Sequence, residues 1–180
     1  MRPFIYQKAA DPVSAAQALA AAGIANEPLT VASAQPLAGG TTLLDLMKLD
    51  VMRPRVVVDI NPLAAQWSAI SLDGGNLRLG SMARMSDVAA NADIEKDYPV
   101  LAQSLKLAAS PQLRNMATLG GNVMQRTRCT YFRDVSYSAC NKRSPGSGCA
   151  AMEGFNRTHA VLGTSDKCIA TYPGDFAQAL

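Results

Sequence analysis

A glycine pair and two threonines separate two differently patterned segments in the stretch Ala38-Gly39-Gly40-Thr41-Thr42-Leu43-Leu44. The segment before it is a mixed apolar run, and the segment after it carries leucines at helical spacing. The stretch is therefore predicted to join a strand to the N-terminus of a helix. Glycines allow the backbone to approach a phosphate there, and the unpaired N–H groups of a first helical turn point at it. A Gly-Gly turn before a helix also occurs without a ligand, so this pattern alone leaves both interpretations open.

A second motif that combines a hydroxyl with two glycines occurs later, in Ala117-Thr118-Leu119-Gly120-Gly121-Asn122. Two such loops could hold the two phosphates of a dinucleotide from either side. Neither loop contains a G-x-G-x-x-G fingerprint or the lysine of a P-loop. A Rossmann domain and a P-loop NTPase are therefore disfavoured.

Short strands and helices alternate along the rest of the first 125 residues. A hairpin is indicated by Asp73-Gly74-Gly75-Asn76, which stands between two apolar runs. Strands are predicted at Phe4-Ile5-Tyr6, at 29–37 and at 56–60, and helices at 13–22, from Leu43, at 85–91 and at 100–109. This succession indicates an α+β or α/β domain.

The four cysteines all occur late in the chain, in or beside a polar segment at 126–167 that shows no sustained period. A long stretch without clear elements is usually functional or disordered, and the clustered cysteines favour function. Ten, eight and eighteen residues separate Cys129, Cys140, Cys149 and Cys168.

Three kinds of site could use these cysteines. Structural zinc sites usually begin with C-x-x-C, which is absent here, and His159 is the only histidine that could join them. His159 is instead predicted to be a hydrogen-bonded structural residue. Two disulfides require an oxidising compartment. An iron–sulfur cluster tolerates spaced ligands, and a rim of basic residues would stabilise its negative charge, although the same residues could form a solvated loop. That rim consists of Arg126, Arg128, Arg133, Lys142 and Arg143.

Composition excludes several function classes. The chain has 180 residues, 48% of them hydrophobic, which is enough to bury a core. A net charge of +3 and only 6% aromatic residues count against a nucleic-acid-binding protein. No apolar run reaches transmembrane length, so no membrane insertion is expected. The first residues lack the apolar stretch of a signal peptide, so the chain is expected to carry no export signal of its own.

The two glycine loops together resemble the FAD-diphosphate loops of the flavoprotein subunits in the xanthine dehydrogenase and carbon monoxide dehydrogenase family. Tyr172-Pro173-Gly174-Asp175 is similar to the proline-and-aspartate segment that follows the second loop in that family. The resemblance implies an α+β fold of the PCMH and CO-dehydrogenase flavoprotein type, with two subdomains, that binds FAD. The residues implied to bind FAD are Gln35, Pro36, Leu37, Ala38, Gly39, Gly40, Thr41, Thr42, Leu43, Ser110, Thr118, Gly120, Gly121, Asn122 and Gln125, with Asp175 near the ribityl or ring end.

The cysteine segments resemble one branch of that family. The stretches 122–129, 140–151 and 168–171 are similar to the middle subunit of bacterial periplasmic aldehyde oxidoreductases, which carries a [4Fe–4S] cluster in an insertion. The resemblance implies that Cys129, Cys140, Cys149 and Cys168 hold such a cluster. A related insertion occurs in the flavin subunit of 4-hydroxybenzoyl-CoA reductase, which is one alternative. A non-catalytic domain stabilised by zinc or disulfides is the other.

The resemblance also implies how the chain is organised and what surrounds it. It implies a first α/β subdomain at 1–60, a second at 61–125 with 170–180, and an iron–sulfur insertion at 126–169. Flavin subunits of this family are longer, so the chain is expected to be truncated and to bind flavin weakly by itself.

The implied enzyme is a molybdenum hydroxylase with three types of subunit. A large molybdopterin subunit would oxidise an aldehyde to a carboxylic acid, and a small subunit with two [2Fe–2S] clusters would relay the electrons. FAD in this subunit would pass them to an external acceptor. No catalytic residue is expected in this chain. The location is expected to be the periplasm, reached by co-export with a signal-bearing partner, or the cytoplasm.

Overall fold

The computed structural model describes residues 1–21, 28 and 30–180. A three-stranded sheet, a two-stranded hairpin and a set of short helices make up the described part of the chain. The strands are β1 Ile5–Lys8, β2 Ala34–Leu37, β3 Val56–Asp59, β4 Ile70–Asp73 and β5 Asn76–Leu79. The helices are α1 Pro12–Ala21, α2 Leu43–Lys48, α3 Ala64–Trp67, α4 Met85–Ala89, α5 Ala92–Asp97, α6 Pro99–Leu107, α7 Pro111–Met116, α8 Leu119–Val123, α9 Thr130–Arg133, α10 Ala150–Glu153 and α11 Asp175–Ala179, with a short 3-10 helix at Asn61–Leu63.

The first sheet is parallel and has the strand order β1-β3-β2. The first three residues of the central strand β3 are valines, and two of them, Val57 and Val58, are fully buried. A central parallel strand is covered on both faces, which accounts for the continuous apolar run that predicted it. The predicted strands at the chain start and at 56–60 are confirmed, and of the strand predicted at 29–37 the part Ala34–Leu37 forms β2. Strand β2 leads directly into the first glycine loop.

The predicted hairpin is confirmed. Strands β4 and β5 pair antiparallel from Ile70 with Leu79 to Asp73 with Asn76. The two connecting glycines have positive φ angles of +55° and +82°. Such angles at both positions are typical of a tight hairpin turn, and glycine adopts them without a steric penalty.

The helices after the hairpin form a second core. Helices α4, α5 and α6 bury Val88, Ile94 and Leu105, and Phe176 of α11 packs into the same cluster. The helices predicted at 85–91 and 100–109 are confirmed, with ends at Ala89 and Leu107. The first predicted helix, 13–22, is α1, and Asp11 caps it by accepting a hydrogen bond from the Ser14 N–H at 2.8 Å. Its predicted stop at 22–23 lies outside the described residues.

The cysteine segment is less irregular than the sequence predicts. Two one-turn helices, α9 and α10, lie within 126–167, and both are too short to produce a visible period. Phe132 of α9 is buried, and with Cys140 it joins a core cluster that includes Leu46 and Met52 beside α2. The cysteine segment therefore packs directly on the element that follows the first glycine loop. In the described part of the chain no helix is both long and apolar enough to cross a membrane.

Candidate functional site

The first glycine loop connects β2 to α2, as predicted, and hydrogen bonds from the end of β3 hold it. The Asn61 side-chain amide donates to the Ala38 carbonyl at 2.9 Å and to an Asp59 carboxylate oxygen at 2.6 Å. Gly40 has a φ of +74°, in the left-handed region that favours glycine. Among the described residues, none accepts a hydrogen bond from the backbone N–H groups of 39–42. These four donors are available to a ligand.

Asp59 accepts the hydrogen bonds that hold Asn61, the residue that supports this loop. Its carboxylate accepts hydrogen bonds from the Tyr6 hydroxyl and from the Asn61 backbone N–H, the latter at 2.9 Å. Burial by itself would raise the pKa of Asp59, but these hydrogen bonds outweigh that effect and the net pKa lies below its ordinary value. The carboxylate is therefore charged at neutral pH and fixes the orientation of Asn61.

The second glycine loop is attached to the segment 81–85 by backbone hydrogen bonds. The N–H groups of Leu119 and Gly120 donate to the carbonyls of Ala83 and Ser81 at 2.9 Å and 2.8 Å. Thr118 is buried and caps α8, because its hydroxyl accepts from the Gly121 N–H at 3.2 Å. The backbone donors of this loop are therefore engaged inside the protein, in contrast to those of the first loop.

The two loops face each other across a cleft with two adjoining cavities of about 360 Å³ and 490 Å³. Thr41, Thr42, Gly121 and Arg126 line both cavities. Every predicted FAD-binding residue except two reaches this cleft. The first cavity is lined by Gln35, Pro36, Ala38, Gly39, Gly40, Thr41, Thr42, Leu43, Thr118, Gly120 and Gly121, and the second adds Asn122, Gln125 and Asp175.

The two exceptions are Leu37 and Ser110, which line neither cavity. Leu37 packs against the core cluster beside α2, and the Ser110 hydroxyl caps α7 by accepting from the Leu113 N–H at 3.3 Å. Sequence reasoning also missed residues that do line the cleft. Ser81 and Met82 carry no recognisable motif, and Arg126 was assigned only to the basic rim of the cysteine segment.

Two members of the predicted basic rim have hydrogen-bond or ion-pair partners within the protein. Arg133 forms an ion pair with Asp45 at 2.8 Å. The Arg143 guanidinium donates to the carbonyls of Phe132 and Asp134 at 3.0 Å each. An arginine that ties several carbonyls together stabilises the path of the segment. Arg143 therefore has a structural role, and its place in a basic rim around the cysteines stays a prediction.

All four cysteines line one small cavity, together with His159. Cys140 and Cys149 face each other in an antiparallel bridge, and Cys129 and Cys149 stand at the N-termini of α9 and α10. Asn141 brings the last cysteine close: its side chain donates to the carbonyl of Lys167 at 2.7 Å. The bridge, the two one-turn helices and the Asn141 hydrogen bond thus bring together four cysteines that lie far apart in the sequence.

The thiols in this cavity interact with one another. All four cysteines are free. Burial raises the pKa of Cys129; the N–H groups of α9 counteract this in part, and the nearby sulfurs of Cys140 and Cys149 raise the pKa further. The Nε2 atom of His159 lies 3.2 Å from the Cys129 sulfur. Within the described residues, no three or more His, Cys, Asp or Glu side chains are gathered so that they could hold a single metal ion.

Comparison with known proteins identifies the family. A family model described as "FAD binding domain in molybdopterin dehydrogenase" matches residues 3–180. The chain belongs to this family. The resemblance seen in the sequence and the expected fold class are both confirmed.

Individual relatives agree with the family match. This FAD-binding domain is 46% identical over 180 residues to the aldehyde oxidoreductase FAD-binding subunit PaoB of Escherichia coli (strain K12), covering the whole chain and 53% of that protein. It is 36% identical over 90 residues to the carbon monoxide dehydrogenase medium chain of Hydrogenophaga pseudoflava, covering 50% of the chain and 31% of the relative. The chain thus spans about half or less of the length of these relatives.

Solved structures show the same fold. A carbon monoxide dehydrogenase from Hydrogenophaga pseudoflava that lacks the Mo-pyranopterin moiety superposes with a TM-score of 0.60 and 30% identity, over 68% of this chain and 39% of that one. Quinoline 2-oxidoreductase from Pseudomonas putida 86 superposes with a TM-score of 0.57 and 28% identity, over 68% and 39%.

The cleft of this FAD-binding domain fits a dinucleotide. The available amides of the first loop suit a diphosphate, and the left-handed Gly40 allows the backbone to approach it. The second cavity contains Asn122, whose side-chain oxygen is buried and has no hydrogen-bond partner among the described residues. A buried acceptor without a partner is costly, so a ligand hydroxyl or N–H at this position would stabilise the site.

Proposed function

We propose that this chain is the FAD-binding part of the electron-transfer subunit of a molybdenum-dependent aldehyde oxidoreductase. The observation that carries this proposal is the 46% identity with an aldehyde oxidoreductase FAD-binding subunit over all 180 residues, the cysteine segment included. That identity favours an aldehyde oxidoreductase over the alternative, a 4-hydroxybenzoyl-CoA reductase. The two loops that meet across one cleft supply the binding geometry.

Different residues of the cleft would bind different parts of FAD. The amides of 39–42 and the hydroxyls of Thr41 and Thr42 would bind the diphosphate. Asn122, Gln125 and Asp175 would contact the ribityl and ring end in the second cavity. Bound FAD would supply the capacity to accept electrons from one partner and deliver them to another.

The four cysteines would hold a [4Fe–4S] cluster. Such a cluster takes one thiolate for each of its four irons, so its ligands surround a volume and do not converge on one point. The arrangement of Cys129, Cys140, Cys149 and Cys168 around one cavity is compatible with this requirement. The sulfurs of Cys140 and Cys149 are close enough to raise the pKa of Cys129, and a positively charged iron core would favour the thiolate form of that residue.

The partners of the subunit follow from the proposed enzyme. A large molybdopterin subunit would oxidise the aldehyde, a small [2Fe–2S] subunit would deliver electrons, and an external acceptor would remove them. The relatives include proteins named as medium chains and FAD-binding subunits, which supports an assembly of several subunits. We propose a periplasmic location by co-export with a signal-bearing partner, with the cytoplasm as the alternative.

Cofactor analysis of the full-length protein, purified with its partners, tests this function. We expect stoichiometric FAD on acid release, iron and acid-labile sulfide in equal amounts after correction for the [2Fe–2S] subunit, and acceptor reduction that depends on an aldehyde. Turnover of 4-hydroxybenzoyl-CoA in place of aldehydes would support the alternative enzyme. A colourless subunit that contains zinc would instead support a non-catalytic zinc-stabilised domain.

A further inference from the structure

The first cavity of the cleft has almost no charge. Glycines, alanines, leucines, threonines and methionines make up most of its lining, and Arg126 is the one charged residue among the described residues that line it. A diphosphate carries negative charge on both phosphates. Backbone amides can donate hydrogen bonds to these phosphates but bring no net charge, so a cation at this position would add the neutralisation that the amides cannot supply.

The second glycine loop cannot supply that charge through its backbone. The N–H groups of Leu119, Gly120 and Gly121 are donated to Ala83, Ser81 and Thr118. Helix α8, which follows them, has only five residues, so its dipole is short. The backbone N–H groups of 119–121 are therefore not available to the diphosphate, and charge on this side of the cleft would have to come from a side chain.

Arg126 is placed to do this and has no other partner in the part of the chain that the structure describes. It stands three positions after the end of α8 and lines both cavities of the cleft. No described residue accepts a hydrogen bond from its guanidinium or forms an ion pair with it, whereas Arg133 is paired with Asp45. Arg126 is half-buried, and burial lowers its pKa. An anion bound beside this half-buried guanidinium would offset part of the cost of its burial.

We propose that Arg126 binds the diphosphate of the dinucleotide from the side opposite the first glycine loop and neutralises part of its charge. The inference rests on the proposed function, because it requires FAD in the cleft. The planar guanidinium presents two parallel N–H donors, which match the oxygens of a phosphate. The amides of 39–42 hold the diphosphate on one side and Arg126 on the other.

Nucleotide binding to the full-length protein, freed of flavin, tests the role of Arg126. The dissociation constants of FAD, ADP and adenosine are measured for the natural protein, R126Q and R126K. We expect R126Q to weaken FAD and ADP binding by roughly 10- to 100-fold, which is the loss of a charged hydrogen bond, and to change adenosine binding by less than about 2-fold. R126K keeps the positive charge but lacks the paired N–H donors of a guanidinium, so it should recover part of the lost FAD and ADP affinity.

The matched control is R78Q, which removes an exposed arginine on β5. R78Q should leave the affinities for all three nucleotides unchanged. Equal losses of ADP and adenosine binding in R126Q would indicate a structural role and overturn the inference, as would unchanged FAD and ADP affinities. Both of these results leave FAD binding by the natural protein intact, so they do not contradict the proposed function. A natural protein that binds neither FAD nor ADP would contradict both proposals.

Discussion

Gly39 lies directly against the backbone of Met116, the residue that precedes the second glycine loop. A Cβ atom on residue 39 would stand 2.0 Å from the Met116 carbonyl oxygen and 2.8 Å from its carbonyl carbon. The same carbonyl accepts a hydrogen bond from Arg84, whose guanidinium also donates to the Asn61 side chain at 3.3 Å. Asn61 in turn holds the Ala38 carbonyl. The approach of the two glycine loops therefore depends on a residue without a side chain at position 39.

Replacing Gly39 with alanine should open the cleft. The new methyl group would meet backbone atoms that cannot rotate away, so the two sides of the cleft must separate. We expect a loss of about 1–3 kcal/mol in the free energy of unfolding, typical of overpacking, and a loss of bound FAD. Chemical unfolding and the ratio of FAD to protein measure the two effects.

Gly74→Ala is the control for this substitution. Gly74 has a φ of +55° in the hairpin, with open space around it, so alanine there strains the backbone without contacting the cleft. Some stability should be lost and the FAD content should stay at the natural level. Equal FAD contents in G39A and the natural protein would contradict the importance of this close approach.

Asp59 should make the stability of the protein depend on acidic pH. Because folding lowers its pKa, the stabilisation is complete above the pKa of the unfolded chain and is lost as the pH falls through the folded value. Asp59→Asn should cost about 1.5–3 kcal/mol at neutral pH, as expected for hydrogen bonds to a charged group. The difference between D59N and the natural protein should shrink below about pH 4. Urea unfolding at several pH values measures it, with D73N at the exposed hairpin as control; a difference that is independent of pH would contradict this role.

The sequence predicts the elements of this fold better than it predicts side-chain partners. The strand 56–60, the hairpin at Gly74-Gly75 and the two glycine loops depend on local patterns, which the chain carries in a few consecutive residues. Arg126 and Arg143 look equivalent in the sequence, because both are basic residues near cysteines. Only the tertiary structure shows that Arg126 faces the cleft and that Arg143 donates to carbonyls of its own segment.

Local sequence patterns also do not predict how the cysteines come together or where the proposed subdomains begin and end. No local pattern places Cys168 in the cavity that Cys129 lines; the residue before it is held by the Asn141 side chain, which donates to the Lys167 carbonyl. Ser110 was expected at the cofactor on the basis of resemblance alone, and it caps a helix. The division into 1–60, 61–125 with 170–180, and 126–169 stays a prediction.

Cys168→Ser should remove iron from the protein. Cys168 lines the cysteine cavity and lies outside the apolar core clusters, so its replacement does not disturb their packing. We expect the variant to lose most of the iron and sulfide assigned to this subunit and to unfold at a lower temperature, because cluster binding stabilises the folded segment. S144A, at an exposed side chain of the same segment, is the control. Full iron and sulfide content in C168S would contradict a ligand role for Cys168.

His159 should tune the cluster through its contact with Cys129. A hydrogen on Nε2 would be donated to the ligand sulfur at 3.2 Å, and hydrogen bonds to cluster sulfurs favour the reduced form. His159→Phe keeps a ring in the cavity and removes the donor. We expect a lower reduction potential in a redox titration followed by electron paramagnetic resonance, with unchanged iron content. An unchanged potential would show that the contact is only structural.

We propose that the diphosphate of FAD lies between the two glycine loops. An experimental structure of the full-length protein with bound flavin would show its position. We expect the diphosphate between the first loop and Arg126, within hydrogen-bonding distance of the N–H groups of Gly40 and Thr41. A flavin nucleotide bound elsewhere, with the cleft between the loops filled by solvent, would contradict the account.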